Sequence, residues 1–262
     1  LLSDEDDVVE DIMETNVISV NTLDDQEAVA QMFNKYDFLA IPVVDRENRL
    51  VGIVTVDDAI DVMQEEATED MEVMAAITPT DKPYMKTSVF ETWRKRVPWL
   101  LILMISATFT GMIITSFEDA LAAQVALTAF IPMLMDTGGN SGSQTSVTII
   151  RGLSLGEIEF RDMPRIIWKE CRVAVLCGVT LAAANFVKLM LFDRVGASIA
   201  MVVCLTLIAT VIVAKVIGCT LPMLAKKVGF DPAVMASPFI TTAVDAISLL
   251  VYFQIAKLLL GI

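Results

Sequence analysis

The sequence predicts a polytopic α-helical membrane protein, in which five membrane-spanning helices follow an acidic α/β domain. Apolar residues make up 55% of the 262 residues, and the mean hydropathy is +0.64. So much apolar surface needs a non-aqueous solvent to cover it, unlike the surface of an ordinary globular domain. The charges are also segregated, since residues 1–86 carry a net charge of −17 and residues 87–262 a net charge of +3. An acidic soluble part is therefore joined to an apolar, slightly basic part.

The composition excludes several classes of function. The sequence has no histidine, which excludes histidine-based metal sites and catalysis by Ser–His or Cys–His pairs. Cys171, Cys177, Cys204 and Cys219 lie in apolar runs, which is typical of buried small side chains rather than of a disulfide or zinc site. Nucleic acid is a poor partner for an acidic chain, because phosphate binding depends on Lys and Arg. No nucleophile–base pair or phosphate loop is visible, so we expect no enzyme.

Residues 17–78 alternate between strand and helix patterns. The pattern predicts strands at Val17–Val20, Leu39–Val44 and Leu50–Thr55, and a helix at Asp24–Tyr36 capped by Asp24 or Thr22. A second helix follows the third strand directly. This order predicts a small α/β domain.

The second helix, from Val56 to about Ile77, is predicted to be long and acidic. Its apolar stripe consists of Val56, Ile60, Met63, Ala67, Met71 and Met74. Its opposite face consists of Asp58, Asp61, Glu65, Glu69 and Glu72. Solvation alone would explain an acidic face, but no basic residue lies between Arg49 and Lys82, and like charges one turn apart destabilise a helix by a few tenths of a kcal/mol. We therefore expect a cation to relieve this repulsion.

Five apolar stretches follow, each near the length that crosses a bilayer as a helix. They are Val97–Phe117, Ala122–Ile150, Ile166–Phe192, Ala197–Leu224 and Ala233–Leu260. Residues 83–96, before the first stretch, mix aromatic and basic side chains, which is typical of a helix at the membrane interface. Basic residues gather before the first stretch and in alternate loops. The positive-inside rule then places the N-terminus and the acidic domain in the cytosol and the C-terminus outside the cell membrane.

Two of these stretches contain polar groups that hydrocarbon would exclude. The fifth has Asp245 near its centre, where a charge costs roughly 2.5–3.5 kcal/mol on insertion scales. Neither Lys188 nor Lys215, on other stretches, is an obvious partner for it. Thr241 lies one turn before Asp245 on the same face, and Pro238 can free a backbone carbonyl for a ligand.

The second stretch contains PMLMDTGGNSGSQTSVT at residues 132–148. Its three glycines fit either close helix packing or a polar pathway. Asn140 and Gln144, together with Asp245, favour a pathway, because burying them without water or a ligand would cost several kcal/mol.

The polar groups in these stretches offer oxygen ligands, without His or Cys. Mg²⁺ gives up its water reluctantly, and it is usually held through that water by one or two carboxylates. In a twofold dimer, two copies of Asp245 would meet, and a divalent cation would relieve their repulsion. The residues therefore favour a hard, hydrated cation as the ligand.

Several motifs resemble those of known families. The pattern IPVVDRENRLVGIVTVDD resembles a CBS (cystathionine-β-synthase-type) module. The motifs DTGGNSGSQ and DPAVMASPFITTAVD, with such a module leading into five spans, resemble the MgtE family of magnesium channels. This resemblance implies a homodimer in the lipid bilayer, whose pore lies between the subunits and is lined mainly by the second and fifth spans.

The resemblance also implies a division of the chain. Residues 1–14 would be the tail of a preceding CBS module, 15–55 a CBS module, 56–82 a plug-like acidic connecting helix, 83–96 an interfacial segment and 97–262 the ion-conducting domain. The sequence starts at Leu1 with neither a methionine nor a signal peptide, so we interpret it as a piece of a longer protein. The missing part would hold a helical domain and most of the first CBS module.

Two sets of Mg²⁺ ligands follow from the resemblance. In the pore, Asp245 matches the carboxylate that holds hydrated Mg²⁺, Thr241 would offer a carbonyl one turn earlier, and Asn140 is a further expected ligand. The matching cytosolic sensing positions are Asp25, Glu27, Asp37, Asp58, Asp61, Glu66, Glu69, Asp70 and Asp231. Ser237 and Ser143 depart from the family pattern, since some relatives have asparagine at both positions.

The implied mechanism is feedback by the transported ion. At high cytosolic Mg²⁺, ions would bridge the acidic faces of two subunits and hold the connecting helix against the pore mouth. At low Mg²⁺ the faces would repel each other, and the pore would open. Some CBS pairs bind adenine nucleotides, and Thr55 with Asp58 suits a contact to the ribose of ATP.

Two other functions stay open. The protein could carry other divalent cations such as Co²⁺ or Mn²⁺. It could also be a membrane-anchored CBS signalling module that transports nothing, although that reading leaves Asp245 and the polar second stretch without an explanation.

Overall fold

The computed structural model describes residues 8–80 and 82–261. The chain forms two compact units, and the division between them falls between Thr68 and Glu69. Half of the predicted module tail, residues 1–7, lies outside the described residues, as does the side chain of Ser237.

The first unit is an α/β domain with a three-stranded sheet. Its elements are α1 (Val9–Ile12), β1 (Val20–Asn21), α2 (Gln26–Tyr36), β2 (Ala40–Val44), β3 (Leu50–Thr55) and the first part of α3 (Val56–Met74). The strand order is β1-β2-β3, with β1 parallel to β2 and β3 antiparallel to it. The buried residues that join the helices to the sheet are Val20, Ala30, Phe33, Ile41 and Ala59.

The sequence predicted this order of elements correctly, but the cap of α2 was wrong. Asp25, rather than Asp24 or Thr22, caps the helix, because its Oδ1 accepts hydrogen bonds from the backbone N–H groups of Glu27 at 3.0 Å and Ala28 at 3.3 Å. The carboxylate of Asp24 accepts instead from the backbone of Asn21 at 2.7 Å. The first strand is also shorter and later than predicted, at Val20–Asn21.

The predicted apolar stripe of α3 was wrong in part of the first unit: Val56 packs against the core as predicted, but Ile60 and Met63 do not. Ile60 and Met63 are exposed, whereas Ala59 is buried and Val56 and Val62 pack against the core. The sheet and α2 therefore contact a face of α3 that contains Ala59 and Val62, instead of Ile60 and Met63.

The end of α3 also differs from the prediction. The helix ends at Met74, three residues before Ile77. Ala76 takes a left-handed backbone conformation with φ of 56°, which an α-helix cannot continue through. The helix is therefore about 28 Å long at 1.5 Å per residue.

The second unit is helical. Its α-helices are α4 (Val89–Ser116), α5 (Glu118–Ala123), α6 (Ile131–Ser154), α7 (Met163–Lys188), α8 (Ala197–Val228) and α9 (Ser237–Leu260). Short 3₁₀ helices lie at Tyr84–Lys86, Val125–Phe130, Phe160–Asp162 and Pro232–Met235, and a π-helix at Leu189–Asp193 extends α7.

Among the described residues, four helical stretches are long and apolar enough to cross a membrane: Val89–Ser116, Phe160–Asp193, Ala197–Val228 and Pro232–Leu260. The other long helix, α6, is rich in glycine, serine and threonine. Helix α4 starts within the segment predicted to be interfacial. The second predicted stretch is divided, since α5 and a 3₁₀ helix precede α6.

Helix α8 lies at the centre of the second unit. Its side chains Val202, Val203 and Val211 are completely buried. In the main core cluster, Leu134 of α6 and Tyr252 of α9 pack with residues of α8. Helix α4, in contrast, exposes large apolar side chains along most of its length. This arrangement leaves α6 and α9 partly buried, with one face of each available to form a site.

Candidate ion-binding sites

A polar stripe runs along the exposed face of α6. Asp136, Asn140, Gln144 and Thr148 lie four residues apart, so they share one face of the helix. All four are exposed in the single chain. In hydrocarbon these groups would have no polar partners, at a cost of several kcal/mol. In a membrane, the stripe has to face water or another protein surface.

Glycines on the buried face of α6 let neighbouring helices approach closely. A Cβ atom at Gly139 would lie 2.8 Å from Cγ2 of Thr241, and one at Gly142 would lie 2.6 Å from Cγ2 of Ile240. On α8, a Cβ atom at Gly218 would overlap the carbonyl oxygen of Gly142. Of the two roles that the sequence left open for the glycines, close packing is confirmed. This packing places Thr241 directly beside α6.

Asp245 lies one turn after Thr241 on α9, and both side chains are half-buried. Its carboxylate is within electrostatic range of the carboxylate of Asp136 on α6. None of the ion pairs found in the described part of the chain involves either acid. Two neighbouring carboxylates without a basic partner repel each other, and a bound cation would relieve that repulsion.

The sequence analysis did not identify Asp136 as a candidate ligand. One signal was available, because Asp136 begins the DTGGNSGSQ motif and lies one turn before Asn140. The sequence did not reveal which residue of α6 lies near Asp245, since that depends on how the two helices pack.

Lys215 is buried, with 6% of its surface exposed, and its partner is Glu170 rather than Asp245. The Lys215 ammonium lies 3.6 Å from Glu170 Oε2 and donates a hydrogen bond to Thr145 Oγ1 at 3.1 Å. The Thr145 hydroxyl in turn donates to Glu170 Oε2 at 3.0 Å. This network joins α6, α7 and α8 directly behind the polar stripe, since Thr145 follows Gln144 in the chain.

The expected role of Pro238 in freeing a carbonyl is not supported. Pro238 lies in the first turn of α9, where its missing N–H breaks no helical hydrogen bond. Its carbonyl oxygen accepts from the hydroxyls of Thr241 at 2.9 Å and Thr242 at 3.0 Å. The carbonyl of Pro238 itself is therefore engaged within α9, and a proline in the first turn frees no carbonyl of a preceding helical turn.

The last turn of α3 packs within the second unit. Val73 and Met74 contact a buried group formed by Ile150 of α6 with Ala233 and Ala236. Nearby, Asp70 Oδ2 accepts a hydrogen bond from the Ser154 hydroxyl at 3.1 Å.

Asp231 immediately precedes this contact and caps the 3₁₀ helix Pro232–Met235. Its Oδ1 accepts from the backbone N–H of Ala233 at 2.8 Å, and the residue is exposed. The end of α3 therefore lies in the same part of the second unit as Asp231, because Val73 and Met74 contact the group that contains Ala233. A shared ion site between α3 and Asp231 would require this proximity.

Several other predicted sensing residues have structural roles within the first unit. Asp25 caps α2, Glu66 accepts a hydrogen bond from Gln26 at 2.8 Å, and Asp37 ends α2 in a left-handed conformation. Across the described residues, no three His, Cys, Asp or Glu side chains lie close enough together to hold a metal ion. A regulatory ion would need ligands from backbone, water or a second chain.

The first unit also contains a cavity of about 300 Å³ that fits a role in ligand binding. Its lining includes the polar residues Asn21, Thr22 and Asp58 and the apolar residues Val29 and Val54. Thr55 is not in the lining, but it positions Asp58. Its hydroxyl and its backbone N–H donate to Asp58 Oδ2 at 2.6 and 3.1 Å.

These two hydrogen bonds hold the pKa of Asp58 below its ordinary value, and the bond from the Thr55 hydroxyl has the larger effect. We expect Thr55→Val to raise the pKa of Asp58, as measured by NMR titration of its carboxyl carbon. A lowered pKa contributes stability above the unfolded pKa, and this contribution is lost as pH falls through the folded pKa. Thr55→Ser should keep the low pKa, and an unchanged pKa in Thr55→Val would contradict the assignment.

Comparison with known proteins agrees with the two-part organisation. Residues 131–255 match the MgtE family, described as divalent cation transporters, and residues 9–65 match the CBS domain. The first match contains both α6 and most of α9.

Three curated relatives carry the name magnesium transporter MgtE. The protein from Thermus thermophilus is 40% identical over 258 residues, 96% of this chain. The protein from Bacillus subtilis is 40% identical over 260 residues, and that from Enterococcus faecalis 36% identical over 261 residues, each 98% of this chain. The chain spans 56% of the length of each relative. With its CBS domain and its MgtE domain, the chain belongs to the MgtE family.

Proposed function

We propose that this protein transports Mg²⁺ across the cell membrane through a pore at a homodimer interface. The observation that carries this proposal is the polar stripe of α6 beside Asp245, on the exposed surface of a unit whose other helices are apolar. The names of the three relatives support Mg²⁺ as the transported ion.

The stripe and Asp245 fit a pathway for a hydrated ion. Carboxylate, amide and hydroxyl groups can all accept hydrogen bonds from the water of Mg²⁺, so the ion need not lose its inner shell. Asn140 and Gln144 can orient those waters, while Asp136 and Asp245 supply the charge. Two protomers that face each other through α6 and α9 would enclose the stripe and double each ligand.

The proposed orientation has the N-terminus and the acidic unit in the cytosol. It follows from the basic residues in alternate loops, which the positive-inside rule assigns to the cytosolic side. In this orientation the end of α3, the end of α6 and Asp231 lie at the cytosolic mouth of the pore.

We further propose that cytosolic Mg²⁺ closes the pore by holding the acidic end of α3 against this mouth. Val73 and Met74 contact the group that contains Ile150, and an ion held by acids of this region such as Asp70, together with water or a second chain, would strengthen that contact. Without the ion, repulsion among the carboxylates would favour release. In this proposal ATP is a second regulator, bound at the cavity beside Asp58 together with the second module of a CBS pair.

The gate can be tested with charge-neutralised variants. Glu69→Gln with Asp70→Asn should raise Mg²⁺ flux at millimolar cytosolic-side Mg²⁺ and change it little at low Mg²⁺, because the closing ion loses ligands. Asp57→Asn with Glu47→Gln removes two acidic charges that lie outside both the predicted sensing positions and the predicted acidic face of α3, and it serves as the control. Equal effects of the two pairs would show that general acidity, rather than a site, matters.

Transport itself is tested by ion flux into vesicles that contain the purified chain. Mg²⁺ uptake above that of empty vesicles is expected, and competition by Co²⁺ and Mn²⁺ would measure selectivity among divalent cations. Absence of flux for every cation would favour the membrane-anchored signalling function.

A further inference from the structure

A surface cavity of about 600 Å³ lies at the start of α7, away from the polar stripe. The segment that precedes the helix forms one wall through Glu157, Ile158 and Asp162. The first three turns of α7 form the other wall, chiefly through Arg165, Lys169 and Arg172. The transport function proposed above does not use any of these residues.

The basic residues of this cavity lack acidic partners. Arg165, Lys169 and Arg172 lie four and three residues apart, so they share one face of α7, and all three are exposed. Within the described residues, none of them forms an ion pair, whereas neighbouring Arg161 pairs with Glu159 at 2.9 Å.

The two acids of the lining do not neutralise these bases. Asp162 Oδ2 accepts a hydrogen bond from the backbone of Glu159 at 3.1 Å, as part of the cap that precedes α7. With three basic and two acidic side chains, the cavity carries net positive charge, and the N-terminal end of the α7 dipole adds to it.

The cavity also contains Trp168, an exposed aromatic residue between the bases. Its side chain is 66% exposed, and the Arg172 guanidinium lies 5.9 Å from the centre of its ring. Tryptophan favours the headgroup level of a bilayer, where its ring contacts both apolar and polar groups.

The same face of α7 becomes apolar beyond Arg172. Val175, Leu176 and Val179 follow at helical spacing and are 47%, 71% and 51% exposed. A positive cavity that continues into an exposed apolar face matches a ligand with an anionic head and hydrocarbon chains. A free phosphate ion would use only the first of these features.

We propose that this cavity binds the headgroup of an anionic phospholipid. The phosphate lies among Arg165, Lys169 and Arg172, the glycerol region packs on Trp168, and the acyl chains lie along Val175, Leu176 and Val179. The site needs only that α7 is inserted in a membrane, so it does not depend on the identity of the transported ion.

Native mass spectrometry of the purified chain tests the proposal by counting retained lipids. With equal amounts of phosphatidylglycerol and phosphatidylcholine, the wild-type chain should retain phosphatidylglycerol preferentially. Lys169→Gln with Arg172→Gln should reduce that preference at least about tenfold, since each base near a phosphate contributes about a factor of five. Lys86→Gln with Arg94→Gln removes one Lys and one Arg from exposed positions outside the cavity, and it should keep the preference.

A charge-preserving variant, Lys169→Arg with Arg172→Lys, should also keep the preference, which separates loss of charge from loss of fold. Inorganic phosphate at about tenfold molar excess over lipid should not displace phosphatidylglycerol, because it lacks the acyl chains. The proposal is overturned if the neutralised pair retains the wild-type preference, if the control pair loses it equally, or if phosphate displaces the lipid.

Discussion

Asp245→Asn is expected to reduce Mg²⁺ flux by about ten- to hundredfold while leaving the fold intact. A hydrogen bond to a charged group contributes about 1.5–3 kcal/mol, and the substitution removes that charge from each protomer. The shape of the side chain is conserved, so the packing of α9 against α6 should not change. Flux into vesicles, or rescue of growth in cells deficient in Mg²⁺ uptake, measures the effect.

Two further variants make this result specific. Asp119→Asn removes an exposed carboxylate from α5, away from the stripe, and it should leave flux unchanged. Asp136→Asn should reduce flux less than Asp245→Asn, because Asp136 is more exposed and water screens its charge more effectively. Near-normal flux in Asp245→Asn, or an equal loss in Asp119→Asn, would contradict the proposed pore.

The helices of the second unit could be predicted because apolar length is a local property of the sequence. The alternation of strands and helices in the first unit was equally local, so Leu50–Thr55 has the bounds that its pattern predicted. The predicted start of α2 was wrong because Asp24 and Asp25 are both good caps. In the structure the carboxylate of Asp24 accepts a hydrogen bond from the backbone N–H of Asn21, which leaves Asp25 to cap the helix.

Contacts between helices were harder to predict than the helices themselves. The prediction for Asp245 rested on one unfavourable charge in an apolar stretch, which the sequence shows directly. The neighbour of that charge, Asp136, depends on the close approach of α6 and α9 that the glycines permit. The apolar stripe of α3 was wrong at Ile60 and Met63 for a similar reason, since Ala59 rather than Ile60 is buried against the sheet.

Glu170→Gln is expected to destabilise the protein strongly, by about 3–5 kcal/mol, the usual cost of removing one partner from a buried ion pair. Lys215 is 6% exposed, so the substitution would leave its ammonium buried without the carboxylate that balances its charge. The side chain of Glu170 is itself 17% exposed, and Lys215→Met should therefore cost less than Glu170→Gln. Thermal unfolding of the purified protein in detergent measures both.

The double variant Glu170→Gln with Lys215→Met separates the charge from the packing. It leaves no buried charge, and replacing a buried pair by neutral groups is often close to neutral in stability. The double variant should thus be more stable than Glu170→Gln alone, and the difference gives the coupling energy of the pair. The solvent-accessible pair Lys82–Glu91, at 2.9 Å with side chains 60% and 32% exposed, is the matched control, since Glu91→Gln should change stability little where water screens the charges. If Glu170→Gln is no more destabilising than Glu91→Gln, the network does not fix α6, α7 and α8 behind the stripe. If Glu170→Gln is the more destabilising of the two, the Lys215–Glu170 pair helps to hold α6, and with it the polar stripe, in place without being part of the proposed ion pathway.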